Sequence, residues 1–159
     1  MSVPGGYCLL APPDPCDDLP FLDQVTAGRA ALGEADTARA IKPLSTALSL
    51  WDVDRAAIGV PRYGPLDRWL NHLDEERMRA MADLADAYIQ LGEPRAALRD
   101  LEYLLAIAPL RSRSWELRMR AHRRRAALGE VSDTYRASAA THRRELGITP
   151  VGQLRTLHS

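Results

Sequence analysis

Apolar residues recur with helical spacing along most of the chain. A first series starts at Phe21 and stops at Gly33, and a second runs from Ala40 to Trp51. Asp36 stands before the second series, where its carboxylate can accept a hydrogen bond from the first turn of a helix. No segment alternates between apolar and polar residues with a period of two, so the pattern predicts an all-α fold.

The same spacing continues in the second half of the sequence. Pro94 suits the first turn of a helix, and Gly147 suits a helix end. The stretch 51–65 holds two Pro and two Gly without helical spacing, which predicts a loop. Pro150 is predicted to start a short final helix. The four longer helices are predicted at 66–91, 94–107, 112–127 and 131–146.

The tripeptide Leu-Gly-Glu occurs three times, each time between two helical series. We expect all three copies to form the bend between the two helices of a pair, with the glycine at the helix end. The copies are Leu32–Glu34, Leu91–Glu93 and Leu128–Glu130.

One stretch of 34 residues, 78–111, matches the tetratricopeptide pattern of a helix pair. Small residues that let two helices approach stand at Ala85 and Ala97, with Tyr88 and Gly92 at the aromatic and glycine positions. We therefore predict a tetratricopeptide-like, right-handed array of about three helix pairs plus a short C-terminal helix. Residues 1–19 are predicted as an extended lead-in and residues 20–159 as the helical domain.

Charge changes this picture only in the last third of the chain. The formal net charge is zero, with 21 basic and 21 acidic residues, which does not favour a general nucleic-acid binder. The stretch 111–125 nevertheless holds seven Arg against one acid, Glu116. This stretch is either a basic surface that binds an acidic partner or a solvated helix face neutralised within the fold by Asp83, Asp86 or Asp100.

The composition also indicates the compartment. No run of apolar residues is long enough for a membrane span, and the N-terminus lacks the charged and apolar regions of a signal peptide. We therefore expect a cytoplasmic protein without a membrane partner. Cys8 and Cys16 are then expected to be reduced thiols.

The sequence shows no arrangement of residues typical of catalysis. The four histidines fall on different predicted elements and are expected to be ordinary surface residues: His72, His122, His142 and His158. Three adjacent acids, 74–76, point in different directions on a helix and are expected to face solvent. We predict no enzymatic activity, no metal site and no cofactor.

A partner would bind the surface formed by the first helix of each pair. Tyr88 and Trp115 stand at consensus positions and are expected to be mainly core. The candidate partner-binding residues are Arg29, Asn71, Arg77, Tyr88, Trp115, Arg118, Arg120 and Arg124.

Four sequence segments resemble a known family. They are "ALSLW" at 47–51, "LDEERMRAMADLADAYIQLG" at 73–92, "APLRSRSWELRMRAH" at 108–122 and "YRASAATHRRELGITPVGQLRTL" at 135–157. These segments resemble the bacterial transcriptional activator domain, the tetratricopeptide-like module of Streptomyces antibiotic regulatory proteins. The most specific match is the C-terminal E-L-G-I-x-P motif, Glu145–Pro150.

The resemblance implies a regulatory role in secondary metabolism through a protein or peptide partner, with a homodimer as another form of association. In the family a winged helix-turn-helix domain precedes this module, and "GGYCL" at 5–9 is similar to its last strand. We therefore expect the DNA-binding domain to be missing and no direct DNA binding. The alternatives are an accessory subunit that binds a peptide or enzyme of a natural-product pathway, and a small-ligand sensor.

Overall fold

The computed structural model describes residues 18–51 and 64–147. The predicted lead-in, most of the loop at 51–65, the short C-terminal helix and both cysteines lie outside these residues. The described residues form six helices and no strand, in agreement with the predicted all-α class. The helices are α1 (Asp18–Gly33), α2 (Thr37–Ser49), α3 (Gly64–Gln90), α4 (Pro94–Ile107), α5 (Ser112–Arg124) and α6 (Leu128–Leu146).

The core of the array consists of three apolar clusters in succession. The first joins α1, α2 and α3 around Phe21 and Leu44, and the second joins α3, α4 and α5 around Leu101. The third joins α4, α5 and α6 around Trp115 and Met119. Each cluster shares a helix with the next, as expected for a repeat protein in which a unit packs only on its neighbours.

The first helix starts earlier than the sequence predicted. Apolar spacing placed its start at Phe21, whereas α1 begins at Asp18 and includes Pro20. Pro20 is tolerated there because the N–H groups of the first turn have no partner within the helix. Residues 18 and 19, which were predicted to be part of an extended lead-in, are therefore helical.

The first helix pair is held by close packing and by a cap. A Cβ at Gly28 would lie 2.5 Å from Cγ of the fully buried Leu44, so α1 approaches α2 more closely than any side chain at this position would allow. The predicted cap of α2 is confirmed, because the Asp36 carboxylate accepts a hydrogen bond of 3.0 Å from the Arg39 N–H.

The bends within the three helix pairs share one hydrogen-bond pattern. At the α3–α4 bend the Glu93 N–H donates to the Tyr88 carbonyl at 2.8 Å, and Gly92 has a φ of 84°. This is the Schellman arrangement of a helix end, and it confirms the role predicted for Gly92.

The glycine roles predicted for the other two bends are wrong. Ala35 and Ala126 take the positive φ angles, 60° and 54°, while Gly33 is the last residue of α1 and Gly129 lies in the first turn of α6. The hydrogen bond that closes the α5–α6 bend runs from the Ala127 N–H to the His122 carbonyl, so this bend precedes the Leu-Gly-Glu copy. As a consequence α5 ends at Arg124 rather than at residue 127.

Candidate functional site

Helix α3 presents carboxylates to the two neighbouring first helices, α1 and α5. Arg29 of α1 contacts two of them: its Nη1 is 2.6 Å from Glu76 Oε2, and its Nε is 2.9 Å from Asp83 Oδ2. Arg113 of α5 reaches the other oxygen of Asp83 at 2.8 Å. Asp83 thus bridges arginines from both sides, and Glu76 and Asp83 are only 7% exposed.

Further ion pairs continue along both ends of this face. Arg111 of α5 pairs with Glu75, and Arg79 lies 3.2 Å from the same carboxylate. At the other end Arg120 Nη1 lies 3.0 Å from Asp86 Oδ1, without the alignment of a hydrogen bond. We call the acidic set on α3 the carboxylate column; it consists of Glu75, Glu76, Asp83 and Asp86.

The negative charge of Glu76 is stabilised in the folded protein. Burial by itself would raise the pKa of Glu76, but the hydrogen bond and charge of Arg29, together with Arg79, lower it below its ordinary value. The same contacts outweigh the effect of burial on Arg29 and raise the pKa of its guanidinium group. Both groups therefore stay ionised throughout the neutral range.

The arginines of α5 fall into two sets. Arg111, Arg113 and Arg120 pair with the carboxylate column. The other four have no ion pair with a carboxylate within residues 18–51 and 64–147: Arg118, Arg123, Arg124 and Arg125. Successive residues of a helix point 100° apart, so Arg118 and Arg125 lie on a different side of α5 from Arg113 and Arg120, whereas Arg124 lies one turn beyond Arg120 on the paired side. Three of the seven arginines of the predicted basic surface are therefore paired within the fold, two with Asp83 and Asp86 as one of the two interpretations of the sequence proposed, and one with Glu75.

A groove between α4 and α5 collects arginines from both helices. It has a volume of 330 Å³ and continues into a second cavity of 390 Å³ that shares Arg95 and Arg125 with it. We call it the α4–α5 groove; it is lined by Arg95, Leu98, Arg99, Glu102, Arg118, His122 and Arg125. None of its four arginines pairs with a carboxylate among the residues that the structure describes.

One histidine lies in the wall of this groove. His122 is 8% exposed, and its Nδ1 has no hydrogen-bond partner among the described residues. Burial, and then the charges of Arg118 and Arg125, lower the pKa of His122, while Glu130 acts in the opposite direction. The expectation of surface histidines is thus wrong for His122, and also for His142, which is 4% exposed. His72 is exposed as expected.

The structure does not bring all the predicted partner-binding residues together. Arg29 and Arg120 lie in the ion pairs of the first helices, whereas Arg118 and Arg124 belong to the unpaired set. Asn71 is exposed on α3.

Three of the predicted residues belong to the interior. Trp115 is 6% exposed and donates its Nε1–H to the Pro109 carbonyl at 2.8 Å, which confirms its expected place in the core. Tyr88 is partly buried between two apolar clusters, also as expected. Arg77 is 8% exposed, with its guanidinium 5.1 Å from the Trp51 ring and bonded to the Tyr103 hydroxyl. Arg77 is thus a stacked residue of the interior rather than part of a surface with Arg29.

Sequence reasoning named Asp83 as a neutralising acid and Arg118 as a partner-binding residue, but it missed Glu76, Arg95 and Arg99. Glu76 and Asp83 are seven positions apart, as are Arg118 and Arg125, and that spacing places each pair on one side of its helix. The signal was therefore present. Arg95 and Arg99 carried no comparable signal, because only the packing of α4 against α5 brings them to His122.

Within 18–51 and 64–147 no three His, Cys, Asp or Glu side chains are arranged to hold a metal ion. No helix in that part of the chain is long and apolar enough to cross a bilayer.

Comparison with known families gives one clear match. Residues 16–159 match the family described as the bacterial transcriptional activator domain.

Three curated relatives each align with 99% of the residues of this chain. Transcriptional regulator RedD of Streptomyces coelicolor is 35% identical, regulatory protein AfsR of Streptomyces griseus 30%, and transcriptional regulatory protein EmbR of Mycobacterium tuberculosis 28%. The chain spans only part of these proteins, namely 45%, 16% and 40% of their lengths.

A solved structure shows the same fold. It is that of Mycobacterium tuberculosis EmbR in complex with a low-affinity phosphopeptide, which superposes with a TM-score of 0.73 at 28% identity. The match covers 98% of this chain and 41% of the EmbR chain.

Proposed function

The chain belongs to the bacterial transcriptional activator domain family, and we propose that it is the protein-binding module of a transcriptional regulator, without enzymatic activity of its own. Its relatives RedD and AfsR are Streptomyces regulators, which supports a role in the regulation of secondary metabolism. The EmbR complex contains a phosphopeptide, which supports a protein or peptide as the class of partner.

The observation that carries this proposal is the unpaired set of arginines on α5. Arg118, Arg123, Arg124 and Arg125 have no carboxylate partner within the described residues, although three other arginines of the same helix do. Guanidinium groups bind carboxylates with two parallel hydrogen bonds, and such charge-assisted contacts are stronger than neutral ones. The partner that fits this surface is an acidic protein segment.

The face of the first helices is less suited to an acidic partner. Its arginines already contact carboxylates at 2.6–3.0 Å, for example Arg29 with Glu76 and Arg120 with Asp86. An incoming acidic segment would have to replace these contacts and would leave α3 carboxylates unpaired. We therefore assign Arg29 and Arg120 to the scaffold, and Arg118 and Arg124 to the partner surface.

The test compares two double variants in the cells that produce the protein. Arg118→Glu/Arg124→Glu reverses two unpaired charges, and Arg68→Glu/Arg143→Glu makes the same change at exposed arginines of α3 and α6. We expect partner recovery in quantitative co-purification to fall at least about tenfold for the first variant and to stay unchanged for the second. Salt should weaken the wild-type contact, since exposed charges are screened.

Several results would count against the proposal. Equal recovery of the same proteins by both variants would exclude the unpaired arginines as the contact. If light scattering shows a dimer that Arg118→Glu/Arg124→Glu dissociates, the arginines bind a second copy of the chain and not an acidic partner protein. If the recovered partner were a biosynthetic enzyme rather than transcription machinery, the chain would be the accessory subunit considered above.

A further inference from the structure

We propose that the α4–α5 groove is an oxyanion-binding site in which Arg95, Arg99, Arg118, Arg125 and His122 receive a single carboxylate, sulfate or phosphate group. The site itself follows from the geometry of the groove. It rests on the proposed function only for the source of the anion, which we take to be an acidic side chain of the partner.

The arginines of the groove converge from two helices that only the tertiary structure brings together. Arg95 and Arg99 stand one turn apart on α4, and Arg118 and Arg125 stand two turns apart on α5. By contrast, Arg29 and Arg113 meet carboxylates of α3 where they face that helix. The groove is therefore a local excess of positive charge that the fold does not neutralise.

The acidic residues near the groove reduce this excess without cancelling it; Asp100 is close enough to interact with the charge of Arg99, and Glu130 acts on His122. Glu102 lines the groove and Glu93 lines the adjoining cavity, against four arginines. Neither glutamate forms an ion pair with an arginine in the part of the chain that the structure describes. The remaining charge attracts an oxyanion rather than a cation.

His122 is a second indication of a ligand, because its side chain lines the groove beside Arg118 and Arg125. A ring nitrogen that is buried without a hydrogen-bond partner costs free energy, and Nδ1 of His122 is in this state. The charges that act on the ring are those of Arg118 and Arg125 at α5 and Glu130 on α6. On α4, the charged residues that line the same groove are Arg95, Arg99 and Glu102. The arginines disfavour a positive charge on His122. A bound oxyanion would offset this repulsion, so the ring could take up a proton, and both ring nitrogens would then be hydrogen-bond donors.

The start of α4 adds to the same potential. The adjoining cavity is formed by the first turn of α4, from Gly92 to Arg95, together with Arg125. Glu93, the N-cap residue, makes no side-chain hydrogen bond to this turn. The positive end of the helix dipole thus faces the cavity that continues the groove.

The experiment follows the His122 ring by NMR in the whole chain labelled with ¹⁵N. The probes are sodium sulfate, which remains a dianion across the titration, and a hexaglutamate peptide. Sodium chloride at matched ionic strength controls for screening. We expect sulfate to raise the pKa of His122 above its value in chloride.

Variants connect this effect to the groove. Arg118→Gln and Arg125→Gln should each raise the sulfate dissociation constant about tenfold, because each removes a charge-assisted hydrogen bond. Arg125→Lys should retain more affinity than Arg125→Gln, and Arg68→Gln should leave the affinity unchanged. Backbone amide spectra of each variant show that the fold is intact before its affinity is compared.

The outcomes separate the site from the proposed function. A His122 titration that is the same in sulfate and chloride overturns the oxyanion site. If hexaglutamate binds through Arg118 and Arg124 while sulfate leaves His122 unaffected, the site is overturned and the proposed function stands. If sulfate binds the groove and hexaglutamate does not, the site stands for a free small anion and the acidic partner is wrong.

Discussion

Helix α5 carries the same residue type on two sides, with different consequences. Towards α3, Arg113 and Arg120 meet the carboxylate column; towards α4, Arg118 and Arg125 meet two further arginines and a buried histidine. A charge that is paired within the fold contributes to stability, whereas an unpaired charge remains available to a ligand. The number of arginines on a helix therefore does not locate a binding surface. What locates it is whether the neighbouring helix supplies carboxylates that pair with them.

The largest effect should come from removing the shared carboxylate of the paired side. Asp83→Ala leaves both Arg29 and Arg113 without their common partner, and we expect the free energy of unfolding in urea to fall by about 2 kcal/mol. Asp133→Ala removes an exposed i,i+3 pair with Arg136 and should cost less than about 0.5 kcal/mol. Equal losses for the two variants would mean that the ion pairs of Asp83 contribute no more to stability than an exposed ion pair does.

Charge reversal one turn apart on the same helix compares a paired arginine with an unpaired one. Arg120→Glu places a carboxylate beside Asp86 and should destabilise the protein by about 1 kcal/mol. Arg124→Glu changes an unpaired, exposed residue and should shift stability by less than about 0.5 kcal/mol. Urea unfolding of both variants measures the difference, and a reversed order would contradict the division of the arginines.

A substitution at the end of α5 should stabilise the protein without touching either side. Ala126 has a φ of 54°, a conformation that glycine adopts without strain. Ala126→Gly should therefore raise the free energy of unfolding by about 0.5–1 kcal/mol. This variant also provides a background in which Arg120→Glu can be examined for partner binding with the fold intact. A loss of stability would show that the bend is not strained.

Acid should weaken the paired side. The folded-state pKa of Glu76 lies below the ordinary value of 4.5, so its stabilising contribution is complete above 4.5 and is lost as the pH falls through the lower folded-state value. Glu76→Gln lacks this titration. We expect the difference in unfolding free energy between wild type and Glu76→Gln to shrink below pH 4.5, and a constant difference would exclude Glu76 as the titrating group.

The smallest effect on stability should come from the unpaired side. Burial is the first cause of the lowered pKa of His122, and the charge of Arg118 is the next. Arg118→Gln should raise this pKa while changing stability by less than about 0.5 kcal/mol. NMR titration of the ring measures the pKa, with Arg68→Gln as the distant control. An unchanged pKa would show that Arg118 does not act on the ring.

Much of the architecture could be predicted from the sequence because it depends on local periodicity. The helix pairs follow from apolar spacing, and α4 has the predicted bounds, Pro94–Ile107. The start of α1 was missed because helical apolar spacing begins only at Phe21, whereas the first turn of the helix contains Pro20 and needs no such spacing.

The candidate site could be predicted only in part. The excess of arginine on α5 was visible, and so was the option that Asp83 and Asp86 neutralise it. The choice between pairing and exposure was not visible, because it depends on which carboxylates of α3 stand opposite each turn of α5.

The three Leu-Gly-Glu copies show the same limit in the backbone. The sequence by itself determined that a bend separates the helices of each pair, since apolar periodicity stops and restarts there. Only the tertiary structure decided which residue takes the positive φ: Gly92 at one bend, but Ala35 and Ala126 at the others. Packing of each helix pair sets where a helix must end, and that demand outweighs the cost of a left-handed alanine. The arginines of α5 follow the same rule. The sequence shows where each arginine stands, but only the packing of α5 against its neighbours decides which carboxylate, if any, lies opposite it.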